Sequence, residues 1–270
     1  MCWKTISPGK GNNAMAYEAF ADIYDAFNED ADYRALHTYL KGQLDAFGIT
    51  RGIVADLGCG TGDLTLCLAR DGYDMIGVDL SEEMLSVLRE KAWEQGVEGL
   101  LLLQQDLERL DLYGTVQAAV STFDTFNHIG PFPRFAAALK RCALFIEPGG
   151  LFLFDLNTPY KQERVLADNV YLLEAEDVTC SWKNHWDAAQ RCTQITVDMS
   201  YPGDPEHEIE QFTEYAYTLE EVRQACEEAG LRIEQVCDGE RFAPLRPDSE
   251  RYLITAVKTA DRNCNREENL

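Results

Sequence analysis

Three acids stand at or just beyond the ends of successive apolar runs, and the first is followed by a loop with glycine at every second position. Asp56 closes Ile53-Val54-Ala55, and Gly58, Gly60 and Gly62 follow it directly. Such glycines accept strained dihedrals and present no Cβ, so a ligand can lie against bare backbone. The helical pattern beyond, from Leu64, offers the free N–H groups of a helix start. Asp79 closes Met75-Ile76-Gly77-Val78, about 20 residues on, where an acid is placed to grip ribose hydroxyls. Asp106 follows the third run, Gly99 to Leu103. The chemistry implied is capture of a nucleoside-bearing cofactor.

The glycine spacing narrows the cofactor. Gly58, Gly60 and Gly62 read G-x-G-x-G, and Asp63 occupies the place of the third glycine in the dinucleotide pattern G-x-G-x-x-G. A pyrophosphate is disfavoured beside Asp56 and Asp63 in a chain of formal net charge −23. That weighs against a nicotinamide-dependent oxidoreductase and favours a cationic or neutral cofactor. S-adenosylmethionine carries a sulfonium, an ammonium, a ribose and an adenine, and no phosphate.

Val54-Ala55-Asp56-Leu57-Gly58-Cys59-Gly60-Thr61-Gly62 resembles the first motif of the class I S-adenosylmethionine-dependent methyltransferases. Gly77-Val78-Asp79-Leu80-Ser81 with Met84-Leu85 resembles that family's second strand and following helix. Gln105-Asp106-Leu107 and Glu147-Pro148-Gly149-Gly150 are similar to its later motifs, and the likeness runs from Tyr17 to Lys258. The resemblance implies S-adenosylmethionine as cofactor, S-adenosylhomocysteine as product and a small-molecule acceptor. It also implies roles. Asp56, Gly58 and Gly60 hold the methionine portion, and Asp79 takes the ribose hydroxyls. Leu80 and Met84 pack on adenine, Asp106 accepts from the adenine amino group, and the Leu107 backbone meets a ring nitrogen. A non-catalytic module of the same fold, sensing cofactor or scaffolding a partner, is the alternative.

Ser121 to His128 follows the fourth strand, a position that lies beside the transferring methyl in this fold. Phe123 is placed to flank the cofactor, and Asp124, Asn127 and His128 to orient a nucleophile. His128 is the candidate base, since an unperturbed imidazole titrates near operating pH. Methyl transfer asks little of it, because the sulfonium is a good leaving group and alignment supplies much of the rate. The Asn-Pro-Pro-Tyr-like sequence of DNA amino-methyltransferases is absent from this loop. His185, His207, Cys180 and Cys192 match no zinc spacing, so no metal is expected. Trp182 and Trp186 read as lid core, with a cation cage as the alternative. The acidic run Glu206 to Glu210 reads as a solvated strand face or, otherwise, as the wall of a cationic pocket.

The elements that carry these residues alternate. Strands at Arg51–Leu57, Asp74–Val78, Gly99–Leu103, Val116–Thr122 and Leu151–Asp155 are separated by helical patterns, which implies an α/β fold. The expected sheet is seven-stranded, doubly wound and Rossmann-like, with an antiparallel β insert after strand five. Strand three, a continuous apolar run, is expected to be buried on both faces. The insert, 157–217, shows period-two alternation over Val170–Trp182, Thr193–Tyr201 and Glu206–Tyr217 and reads as a lid or substrate wall. The methyltransferase domain is expected over 14–258, between a loose extension, 1–13, and a polar tail, 259–270. Two helices, Ala14–Phe27 and Asp32–Phe47, precede the first strand. They either pack on the sheet edge or cap the cleft, with Tyr17, Tyr24 and Tyr33 closing over the cofactor.

Composition sets the remaining bounds. A chain of 270 residues with 46% hydrophobic content sustains one large core. The excess of acid argues against nucleic-acid and anionic-membrane partners. Nine cysteines without a C-x-x-C pair read as reduced thiols of a cytoplasmic protein. Neither a leader nor a membrane span is expected. Oligomeric state leaves no mark in the sequence.

Overall fold

A computed structural model describes residues 32–175, 178–203 and 205–260. The expected helix Ala14–Phe27, with Tyr17 and Tyr24, lies outside the described residues, as do 1–13 and 261–270. The chain runs α1 (Tyr33–Ala46), β1 (Gly52–Leu57), α2 (Asp63–Arg70), β2 (Tyr73–Asp79), α3 (Glu82–Glu94), β3 (Leu101–Gln104), β4 (Val116–Ser121), α4 (Phe132–Ala143) and β5 (Ile146–Asn157). It continues through β6 (Val170–Ala175), β7 (Val178–Asp187), β8 (Cys192–Ser200), β9 (His207–Tyr215), α5 (Leu219–Glu228), β10 (Leu231–Asp238), β11 (Ala243–Pro244) and β12 (Arg251–Lys258).

The main sheet is ordered β11-β10-β12-β5-β4-β1-β2-β3. β1 to β5 pair in parallel, while β12 runs antiparallel between β5 and β10. Seven strands match the expectation, and β11 adds a two-residue edge. Alternate residues feed the two faces. Ala55, Leu57, Phe152 and Phe154 pack beneath α4 and α5, where Phe135, Leu139 and Val222 meet them. Val54, Met75, Val120 and Leu153 pack under Leu36, Leu40 and Leu44 of α1 and Leu64 and Leu68 of α2. β3 departs from expectation. It is the last strand of the sheet, and Leu101 is 45% exposed; an apolar run does not reveal that no strand lies beyond it.

Local chemistry sets the helix starts. Ser81 Oγ accepts from Met84 N–H at the start of α3, and Thr218 and Glu221 form a reciprocal capping box at α5. The second sheet, β6-β7-β8-β9, is wholly antiparallel. The alternating run Val170–Trp182 divides into β6 and β7. Ile195, Val197 and Met199 of β8 are buried at 0–1% exposure, with Phe212 and Trp182 against them. Among the described residues no helix is long and apolar enough to cross a membrane, and seven cysteines are free thiols.

Candidate functional site

The glycine loop is bonded to the neighbouring strand before any ligand arrives. Gly58 N–H and Cys59 N–H both donate to Val78 O, at 2.7 and 3.0 Å. Gly58, Gly60 and Gly62 hold φ of +77°, +52° and +83°, a region side chains resist. They differ in what a side chain would meet. A Cβ on Gly58 would lie 2.3 Å from Thr125 Cγ2, and one on Gly62 2.0 Å from Leu88 Cδ1. A Cβ on Gly60 would meet nothing within 4 Å, because it would enter a cleft. Asp56, Thr61, Asp63, Thr122 and Phe123 line that cleft. Tyr33 of α1 also lines it and packs on Phe123, with ring centroids 4.9 Å apart.

The acids are oriented by donors. Thr65 Oγ1 donates to Asp56 Oδ2 at 2.5 Å. Burial pushes the Asp56 carboxyl up to about 7; the Thr65 bond opposes that rise and the nearby Asp79 charge adds to it. Asp79 accepts Gly60 N–H on Oδ2 at 2.8 Å and Ser81 N–H on Oδ1 at 3.0 Å, and burial raises its pKa. Asp106 accepts Glu108 N–H and opens the helical turn that holds Leu107. Met84 is buried, and Leu80 partly so. Asp63 is turned to another task. Lys91 Nζ of α3 lies 3.1 Å from both its carboxylate oxygens and bonds Thr61 Oγ1 as well. Its charge is therefore matched, and the case against a pyrophosphate rests on Asp56 and Asp79.

Among the described residues that line the cleft are acids and bare glycine backbone, with no Lys or Arg. That donor set suits a cationic cofactor without phosphates. A family profile described as a methyltransferase domain matches residues 54–150, which span this loop, Asp79 and Asp106. A solved S-adenosylmethionine-dependent methyltransferase from Clostridium acetobutylicum is similar over 90% of this chain and 99% of its own, at 25% identity and a TM-score of 0.81. The chain is a class I S-adenosylmethionine-dependent methyltransferase. YqeM of Bacillus subtilis, which carries a methyltransferase name, is 26% identical over 91% of this chain and 98% of its own. A ubiquinone biosynthesis O-methyltransferase of Erwinia tasmaniensis is 31% identical over 51% of this chain and 57% of its own.

In this methyltransferase the loop after β4 is held in an unusual conformation. Phe123 and Asp124 both sit at φ +56°, a region that costs a side-chain-bearing residue about 1–2 kcal/mol. The carboxylate of Asp155, on β5, offsets this. It accepts Phe123 N–H at 2.9 Å and Asp124 N–H at 2.7 Å. Arg251 of β12 lies 3.1 Å from both Asp155 Oδ2 and Asp124 Oδ1. Burial raises Asp155, with Arg251 opposing. Burial also works to raise Asp124, but the neighbouring His128 and Arg251 outweigh it and hold that carboxyl well below the usual range.

The turn Thr125–His128 then joins the loop to the antiparallel sheet. Asn127 is buried, and its amide is committed to backbone: Nδ2 donates to Asn157 O and Tyr215 O, and Oδ1 accepts Asn157 N–H. His128 packs on Phe212 of β9, with centroids 5.4 Å apart, and its Nε2 stands 3.5 Å from Asp124 Oδ2. Burial would lower the His128 pKa, but Asp124 and Glu214 raise it. Glu214, also on β9, accepts from Asn157 Nδ2 and Gln162 Nε2 at its Oε2.

Three of these groups escape a reading by spacing. Glu214, Asp155 and Arg251 are far in sequence from the loop they serve; the antiparallel pairing of β5 with β12 brings Asp155 and Arg251 to it, and the packing of β9 on the Thr125–His128 turn brings Glu214. Tyr33, by contrast, was legible as an aromatic ahead of the first strand. His185 and His207 do not meet Cys180 and Cys192 at one site. They pair with Asp168 and Asp198 on exposed positions of the insert, while both cysteines are buried. Trp182 packs edge-on against Phe212 and donates to Asn184 Oδ1.

Proposed function

We propose that this methyltransferase acts on a small-molecule acceptor held between the loop after β4 and the inner face of the antiparallel sheet, by direct in-line displacement. One observation carries the reading. Thr122, Phe123 and Thr125 of the loop line the cofactor cleft, and His128, three residues beyond Thr125, packs on Phe212 of the insert. A single short loop thus faces cofactor on one side and an aromatic and polar wall on the other. The ubiquinone biosynthesis O-methyltransferases among the relatives support a small acceptor by their name.

Asp56, Gly58 and Gly60 hold the methionine portion, and Asp79 takes the ribose hydroxyls with its second lone pairs. Leu80 and Met84 flank the adenine, Asp106 receives its amino group, and the Leu107 backbone meets a ring nitrogen. Phe123 and Tyr33 cover the cofactor from the loop and from α1. The cofactor supplies a methyl on a sulfonium, whose departure leaves a neutral thioether. Asp124 and His128 orient the nucleophile, and Asn127 fixes the loop that carries them. The insert, 157–217, serves as the substrate wall, and the seven free thiols among the described residues suit a cytoplasmic enzyme.

The test is where the label goes. A cell extract incubated with the enzyme and methyl-tritiated S-adenosylmethionine is expected to yield label in the small-molecule fraction. Label confined to protein or nucleic acid overturns the acceptor class. With the isolated acceptor, a chiral methyl of hydrogen, deuterium and tritium is expected to arrive inverted; retention overturns in-line displacement.

A further inference from the structure

Asp124, His128 and Glu214 come from a loop, a helical turn and a strand of the insert, and a donor atom from each lies within 4.8 Å of the other two. Two observations set this cluster apart from a solvated group of acids. His128 Nε2 and Asp124 Oδ2 are 3.5 Å apart. That exceeds the usual N–H···O range of about 2.7–3.2 Å, yet is close to the ~3.4 Å between two donors arranged tetrahedrally about an ion at ~2.1 Å. Second, Asn157, 3% exposed, gives its Nδ2 to Glu214, while the Oδ1 of the same amide is buried with no hydrogen-bond partner. A buried carbonyl without a donor costs free energy unless a donor or a cation reaches it.

The surroundings resemble an outer shell around a metal. Arg251 holds the Asp124 oxygen that points away from His128, Asp155 holds the Asp124 backbone, and Gln162 holds Glu214. Arg251 is shared among Asp124, Asp155 and Glu240, and the hydrogen bonds to Glu214 come from neutral amides.

We propose that Asp124, His128 and Glu214 bind one divalent first-row metal ion at the junction of loop and insert, with Asn157 Oδ1 as the fourth donor. One imidazole nitrogen with carboxylate and amide oxygens is a set that suits Mn2+ or Zn2+. The inference rests on the loop–insert junction being the acceptor side of the enzyme. Its residues are separate from those of the cofactor cleft, so cofactor binding can be measured independently.

The full chain, stripped with a chelator and dialysed, is titrated with Mn2+ and with Zn2+ by calorimetry. One site per chain is expected, weakened tenfold or more in Glu214→Gln and in Asp124→Asn, with His185→Ala unchanged. S-adenosylhomocysteine binding to each variant reports that it is folded. Paramagnetic broadening then locates the ion without variants that risk the fold. Of the four histidines, His128 is expected to lose its ring signals first as Mn2+ is added. The proposal is overturned if neither ion binds, if both acid variants bind as tightly as the parent, or if His185 or His207 broadens ahead of His128. Loss of S-adenosylhomocysteine binding by the parent chain would instead count against the cofactor site and leave the metal result readable.

Discussion

Gly60 donates its backbone N–H to Asp79 Oδ2 at 2.8 Å, which ties the middle of the glycine loop to the acid that ends β2. The bond aligns two features that a ligand must meet together: a stretch of backbone without a side chain and a carboxylate with lone pairs to spare. Ser81 N–H fixes the other oxygen. The carboxylate is therefore set before any ligand binds, and little ordering is left to oppose binding.

Gly60 and Gly62 are expected to fail in different ways when given a methyl group. Gly60→Ala faces open cleft, so its stability cost is the left-handed backbone alone, about 1–2 kcal/mol. Its loss of S-adenosylhomocysteine affinity is tenfold or more. Gly62→Ala meets Leu88 at 2.0 Å, and overpacking adds about 1–3 kcal/mol to the same backbone strain. Urea unfolding and calorimetry on both variants check the order. A Gly60→Ala protein that binds normally would show that the cleft is not filled there.

Asp56 makes stability and binding depend on pH in opposite senses. Its folded pKa is about 7, above the ~3.9 of an unfolded aspartate. The native state thus holds the extra proton between those values, and the stability it contributes is lost as pH rises through about 7. With the cofactor placed as proposed, the ionised form attracts its ammonium, so affinity should strengthen over the same interval. Asp56→Asn is expected to flatten both profiles, read as melting temperature and as calorimetric affinity from pH 5 to 8. Parallel profiles in parent and variant contradict the assignment.

Arg251 compensates Asp155 and, together with His128, Asp124 in a largely buried site, so Arg251→Leu leaves Asp155 unmatched and Asp124 with His128 alone. A loss of about 3–5 kcal/mol is expected in urea unfolding. Asp155→Asn keeps one acceptor for two backbone N–H groups, and should cost about 1–3 kcal/mol. It should also weaken cofactor binding, because Phe123 is released from its φ of +56°. Equal cofactor affinity in Asp155→Asn would show that the clamp does not position Phe123.

What the sequence revealed follows from how local each feature is. The glycine loop, Asp79 and Asp106 are legible because strand, turn and acid lie within a few residues of each other, and the capping residues Ser81 and Thr218 are read in the same way. β3 misled, because an apolar run looks the same in mid-sheet and at an edge. Asp63 reads in sequence as a charge beside the loop, while its partner Lys91 lies one helix further on. The acceptor side was the least legible. His128 and Glu214 are joined by the pairing of the insert against the loop, and no spacing in one chain encodes that contact.

The central claim is that Asp79 and the glycine loop hold the nucleoside of S-adenosylmethionine. Calorimetry of S-adenosylhomocysteine with the parent chain and with Asp79→Ala tests it most directly. Micromolar binding is expected for the parent, falling tenfold or more in the variant, a loss of at least about 1.4 kcal/mol. An Asp79→Ala protein that is folded and binds as tightly as the parent would contradict the account.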